Sequence, residues 1–159
     1  MLRAGFVAPD FRLPTLDGRW IRRGEYRHRR HLALLFVPPA PSAEWRALLE
    51  DLAAHAALLQ QENAEVLVVC MMPAEEARTL AAELHLPFPV AIDDRGEAAH
   101  RYEATAGAVL ALDRFGAPLA VWRPPALPTA HDILSAIQGA ELACPECGVP
   151  VWSIEGEPG

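Results

Sequence analysis

The sequence contains no lysine. All 14 basic residues are therefore arginines, and every permanent positive charge is a guanidinium. Cysteine is nearly as scarce. There are three in 159 residues, Cys70, Cys144 and Cys147, and none before position 70. Three are too few for a disulfide-stapled secreted domain. They suit a reducing compartment, where a C-x-x-C pair means metal or redox chemistry. No apolar run approaches the roughly 20 residues that cross a bilayer. The opening MLRAGFVAPDF lacks the apolar centre of a signal peptide. A cytoplasmic protein without a membrane partner is the expectation. With 21 acidic residues the net charge is −7, which argues against nucleic acid as the main partner.

What is present suits one ordinary domain. Hydrophobic residues make up 52% of the chain and charged residues 22%, a balance that favours a packed core over disorder. The expected division is a domain over residues 1–142 and a short, compositionally different tail over 143–159. Arg19, Arg22, Arg23, Arg27, Arg29 and Arg30, with His28 and His31, form one basic stretch. It reads as a solvated connection ahead of a buried strand, with an anion or partner patch as the alternative.

VAPDFRLPTLDGRWI reads as two short extended pieces around an Asp17-Gly18 turn. LALLFV (32–37) is apolar at every position, the mark of a strand covered on both faces. Three prolines end it, at Pro38, Pro39 and Pro41. A helix is predicted from about Ser42 to Gln61, with Ser42 as N-cap and Trp45, Leu48, Leu49 and Leu52 on one face. EVLVVC (65–70) is a second buried strand. Pro73 suits the first turn of the next helix. FPVAID (88–93) contains a short strand, followed by a turn and a short helix. AVLAL (108–112) and PLAVW (118–122) flank a glycine turn, which predicts an antiparallel hairpin. Residues 130–142 read as the last helix. This order predicts an α/β thioredoxin-like fold, a central mixed sheet flanked by helices.

Three stretches resemble the peroxiredoxin and redoxin (AhpC/TSA-like) branch of the thioredoxin superfamily. They are Ala8-Pro-Asp-Phe-Arg-Leu-Pro-Thr-Leu-Asp-Gly18, LALLFV with Pro38, and LALDRFG (110–116). The active-site loop of that family runs proline, three residues, threonine or serine, two residues, cysteine. This chain runs Pro38, Pro39-Ala-Pro41, Ser42, Ala43-Glu44, Trp45. The resemblance thus puts Trp45 at the position of the peroxidatic cysteine, and an indole supplies no thiolate. The family commonly has a proline or arginine near the start of the late strand. The matching residue here is about Gly107. The loop formed by Pro38, Ser42 and Trp45, with Gly107, therefore resembles an active site that has lost its nucleophile.

The remaining candidates for redox chemistry are Cys70, Cys144 and Cys147. Cys70 ends a buried strand beside Met71 and Met72, surroundings that favour a neutral thiol. Cys144-Pro-Glu-Cys147-Gly148 follows a helix instead of opening one, so the helix dipole disfavours a thiolate there. The motif also resembles one knuckle of a zinc ribbon. Zinc normally takes four protein ligands, and Cys144 and Cys147 supply two, so the site would be completed by a second copy of the chain, giving Cys₄ across a dimer, or by histidine or carboxylate. Metal binding, a redox pair and a purely structural pair all stay open. The histidines form no ligand set. Asp93, Asp94 and Asp113 read as turn or capping residues.

The favoured function is a non-catalytic or atypical peroxiredoxin-like protein, a binding or assembly module with a protein or thiol partner and the capacity to form a homodimer. The alternative is a thiol-dependent oxidoreductase that uses Cys70 or the Cys144/Cys147 pair.

Overall fold

The computed structural model describes residues 8–26 and 30–142. Two short strands, β1 (Arg12–Pro14) and β2 (Trp20–Arg22), form an antiparallel hairpin around the Asp17-Gly18 turn. A 3₁₀ turn follows over Arg23–Tyr26. The main sheet has five strands: β3 (His31–Val37), β4 (Ala64–Cys70), β5 (Val90–Ile92), β6 (Ala108–Leu112) and β7 (Pro118–Trp122). Their order is β5-β4-β3-β6-β7. β3 pairs parallel with β4 and antiparallel with β6. The strand whose residues 32–37 are all apolar is thus the central one, and all seven of its residues are buried, including His31, which the sequence reading places in the solvated basic stretch. Helices α1 (Ala43–Ala54), α2 (Ala56–Gln61), α3 (Ala74–Glu83), α4 (Glu97–Arg101) and α5 (Ala130–Leu142) complete the fold.

Alternate residues of β3 and β4 feed two separate cores, as the period of two along a strand requires. Ala33, Leu35, Val37, Val66, Val68 and Cys70 join α1, α3 and α5 on one face. Leu32, Leu34, Phe36, Leu67 and Val69 join the N-terminal segment and α4 on the other. The N-terminal segment binds the sheet at two places. The Ala8 amide donates to the Gly116 carbonyl (2.8 Å), and the Leu16 amide donates to the Val90 carbonyl (3.0 Å). Thr15 also bridges to Ala91, so this segment covers the outer side of β5.

The structure corrects three further details of the sequence reading. The helix expected over 42–61 is two helices, because His55 interrupts the regular geometry. Its Nδ1 lies 2.8 Å from the Asp51 carbonyl, and its amide is shared between the Asp51 and Leu52 carbonyls. Pro73 is the N-cap of α3 with an extended backbone (ψ 153°), one position before the first turn. Arg23 is not solvated but 4% exposed, with Nε donating to the Pro9 carbonyl at 3.1 Å. Other members of the basic stretch are paired: Arg19 with Asp17, Arg22 with Asp10 and Arg30 with Glu65. Arg27, His28 and Arg29 lie outside the described residues. So do Cys144 and Cys147 and the rest of the tail from 143. Among the described residues, no helix is long and apolar enough to cross a membrane.

Candidate active-site loop

One edge of the sheet gathers most of the singled-out residues. The register sets Val37 beside Cys70, Cys70 beside Ile92, and Phe36 beside Ala108. β3, β4 and β5 therefore end where β6 begins. From Val37 the chain passes through Pro38–Pro41 and enters α1. Ala40, between Pro39 and Pro41, has φ 50°, a left-handed geometry that costs an alanine about 1 kcal/mol. Ser42 then caps α1, its hydroxyl accepting from the Trp45 amide at 3.3 Å. Substituting such a cap typically costs about 1 kcal/mol.

Trp45 is 3% exposed and packs inward with Leu48, Leu49 and Leu52. Its indole lies over Gly107. A β-carbon on Gly107 would come within 2.8 Å of Trp45 Cζ2, 3.2 Å of Pro38 Cδ and 3.3 Å of the Phe36 carbonyl oxygen. Gly107 also has φ +96°, where a side chain is strained regardless of space. The structure thus brings Pro38, Trp45 and Gly107 into one tight contact. Ser42 stands beside them as the helix cap. Trp45 fills the space over the start of β6 with packed carbon.

Cys70 lies at the same edge, in the same core cluster as Trp45, Val37, Met72 and Leu80. It is 1% exposed, and burial pushes its thiol up to about 12. At neutral pH it is a neutral S–H shielded from solvent, a poor nucleophile. Among the described residues, no three of histidine, cysteine, aspartate and glutamate are grouped to hold a metal ion.

The singled-out acidic residues cap turns, Asp93 at this edge and Asp113 at the opposite one, beyond the end of β6. The buried Asp93 accepts from the Ala98 and Ala99 amides at 3.2 and 2.9 Å and so starts α4. Asp113 accepts from the Phe115 and Ala117 amides, each at 2.9 Å, and closes the β6–β7 turn.

Sequence reasoning missed a second constellation on the opposite face. Tyr102 is fully buried, with its ring against Phe11 and Phe36 at centroid distances of 6.0 and 5.1 Å. Its hydroxyl donates to the Pro9 carbonyl, which Arg23 Nε also reaches. Burial pushes the Tyr102 phenol well above its usual range. Asp10 accepts from its neighbour's amide, Phe11 (2.8 Å), from the Gly24 amide (3.2 Å) and from Arg22 (3.3 Å). Partial burial pushes its pKa up, but the Phe11 and Gly24 amide bonds, the Arg23 charge and the Arg22 hydrogen bond outweigh this, and the net shift is downward. The Ala8-Pro-Asp-Phe11 motif was the available signal. Its partners lie up to 93 residues away, beyond any local pattern.

Sheet order, helix placement and the loop at the head of α1 define a thioredoxin-fold redoxin. Residues 4–116 match the AhpC/TSA family, and the chain belongs to that family. Solved structures with the same fold include peroxidoxin BcpB from Mycobacterium tuberculosis, at 17% identity and TM-score 0.79, covering 87% of this chain and 97% of that one. A yeast mitochondrial 1-Cys peroxiredoxin matches at 17% identity and TM-score 0.83, covering 99% and 84%. A putative thiol:disulfide interchange protein DsbE from Chlorobium tepidum matches at 21% identity and TM-score 0.75, covering 86% and 99%. Comparison with curated proteins gives no match.

Proposed function

We propose that this protein is a non-catalytic redoxin, a binding or assembly module in which packing has replaced peroxide chemistry. One observation carries the reading: the Trp45 indole occupies the space above Gly107 so closely that a single added carbon would sit 2.8 Å from it. Peroxide reduction needs an accessible thiolate at the head of this helix. Trp45 supplies none, and the buried Cys70, its thiol held neutral by desolvation, is no substitute.

The test is peroxide consumption by the full chain with a dithiol donor, alongside Cys70→Ser and Cys144→Ser/Cys147→Ser. No turnover above the donor alone is expected. Iodoacetamide should leave Cys70 unmodified in native protein and alkylate it in urea. Turnover abolished by Cys70→Ser would overturn the proposal. The C-P-E-C-G motif supports a second reading, thiol or metal chemistry in the tail. Turnover or bound zinc that survives Cys70→Ser and disappears in the Cys144/Cys147 double variant would establish it. If zinc is shared between two copies, the dimer fraction falls on chelation.

A further inference from the structure

Around α4 lies a cleft of about 560 Å³, lined by Arg95, Gly96, Glu97, His100, Arg101 and Thr105. It adjoins the edge of the sheet that carries Pro38 and Gly107. Arg95 follows the end of β5, and Thr105 precedes Gly107 by two residues. In a chain of net charge −7, this cleft carries two guanidiniums and an imidazole against one carboxylate. Neither Arg95 nor Arg101 has a carboxylate within 4.0 Å among the described residues. Arg101 is instead fixed in place by donating from one terminal nitrogen to the Asp10 carbonyl at 3.2 Å. The side chains of Arg95, His100 and Thr105 have no protein hydrogen-bond partner there. The floor is open as well, since a β-carbon on Gly96 would meet nothing within 4 Å.

Two exposed guanidiniums lining one concavity, neither paired with a carboxylate among the described residues, suit planar, two-point recognition of an oxyanion. The volume falls within the roughly 300–1,000 Å³ of small-molecule sites. We propose that this cleft binds a small molecule bearing a multiply charged oxyanion, gripped by Arg95 and Arg101 with His100 and Thr105 as further donors. The inference does not depend on the fate of the Pro38–Trp45 loop, because it uses none of those residues.

Isothermal titration of the full chain at low ionic strength tests it, with inorganic phosphate, pyrophosphate and citrate as probes. At least one probe should bind with a dissociation constant of roughly 1 mM or tighter. Binding by pyrophosphate but not citrate assigns phosphate chemistry, and the reverse assigns carboxylate chemistry. Arg95 has no partner among the described residues, so Arg95→Gln should weaken binding about tenfold or more while leaving the thermal midpoint unchanged. Arg46→Gln, distant in sequence and paired with Glu83, should change nothing. No binding by any probe would overturn the proposal, as would binding that Arg95→Gln and Arg101→Gln leave intact.

Discussion

Each face of the central sheet is closed by one large aromatic residue, and the two are used in opposite ways. Tyr102 keeps a polar end and spends it on a carbonyl of the N-terminal segment, within reach of a buried arginine and a carboxylate. Trp45 sits among aliphatic side chains and a neutral thiol. The Tyr102 face holds a tie between distant parts of the chain. On the Trp45 face, where the family resemblance locates chemistry, the indole itself is held by apolar packing, with its amide on the Ser42 cap. The polar network on the Tyr102 face therefore marks anchorage, while the contact of Trp45 with Gly107 is apolar packing.

The largest expected effect falls on the Trp45 face. Trp45→Ala should destabilise the fold by about 3–5 kcal/mol, the usual cost of truncating a buried aromatic, measured by urea unfolding. Gly107→Ala should cost about 2–4 kcal/mol from combined crowding and backbone strain. The double variant should cost less than the sum, because removing the indole relieves the crowding but not the strain. Strict additivity would show that the two residues do not press on one another.

On the other face, Tyr102→Phe should cost about 1 kcal/mol, since the Pro9 carbonyl keeps its bond from Arg23. A much larger loss would make the hydroxyl the main tie of the N-terminal segment. The smallest effect is expected for Asp10→Asn. Asp10 is more acidic in the folded protein than the ordinary aspartate value of 3.8. Its contribution is therefore full above about pH 4 and fades as pH falls through the folded value. Wild type should exceed the variant in urea midpoint at pH 7, and the gap should close on acidification. A gap that persists at pH 2 would assign the effect to geometry instead of charge.

Much of the fold was legible because burial leaves a periodic trace. A strand apolar at all positions had to be central, and the 108–112 and 118–122 strands were bounded by their own turn residues. The break at His55 left no trace, because the apolar stripe continues past it to Leu59. Arg23 defied its surroundings in sequence: five neighbouring arginines suggest solvent, and the carbonyl of Pro9, 14 residues back, explains its burial. At the candidate site, the absence of cysteine before residue 70 was plain in the sequence. That Trp45 and Gly107 touch depends on β6 pairing with β3, a long-range event that no window of residues encodes.

β7 forms the outer boundary of the sheet opposite β5 and begins with Pro118. A proline has no amide hydrogen to offer an arriving strand, and the irregular register beside it, between Ala111 and Leu112, further distorts the ladder. The other boundary is already occupied by Thr15 and Leu16. A five-stranded sheet with a strongly apolar centre thus offers little flat, fully hydrogen-bonding border on which another chain could polymerise.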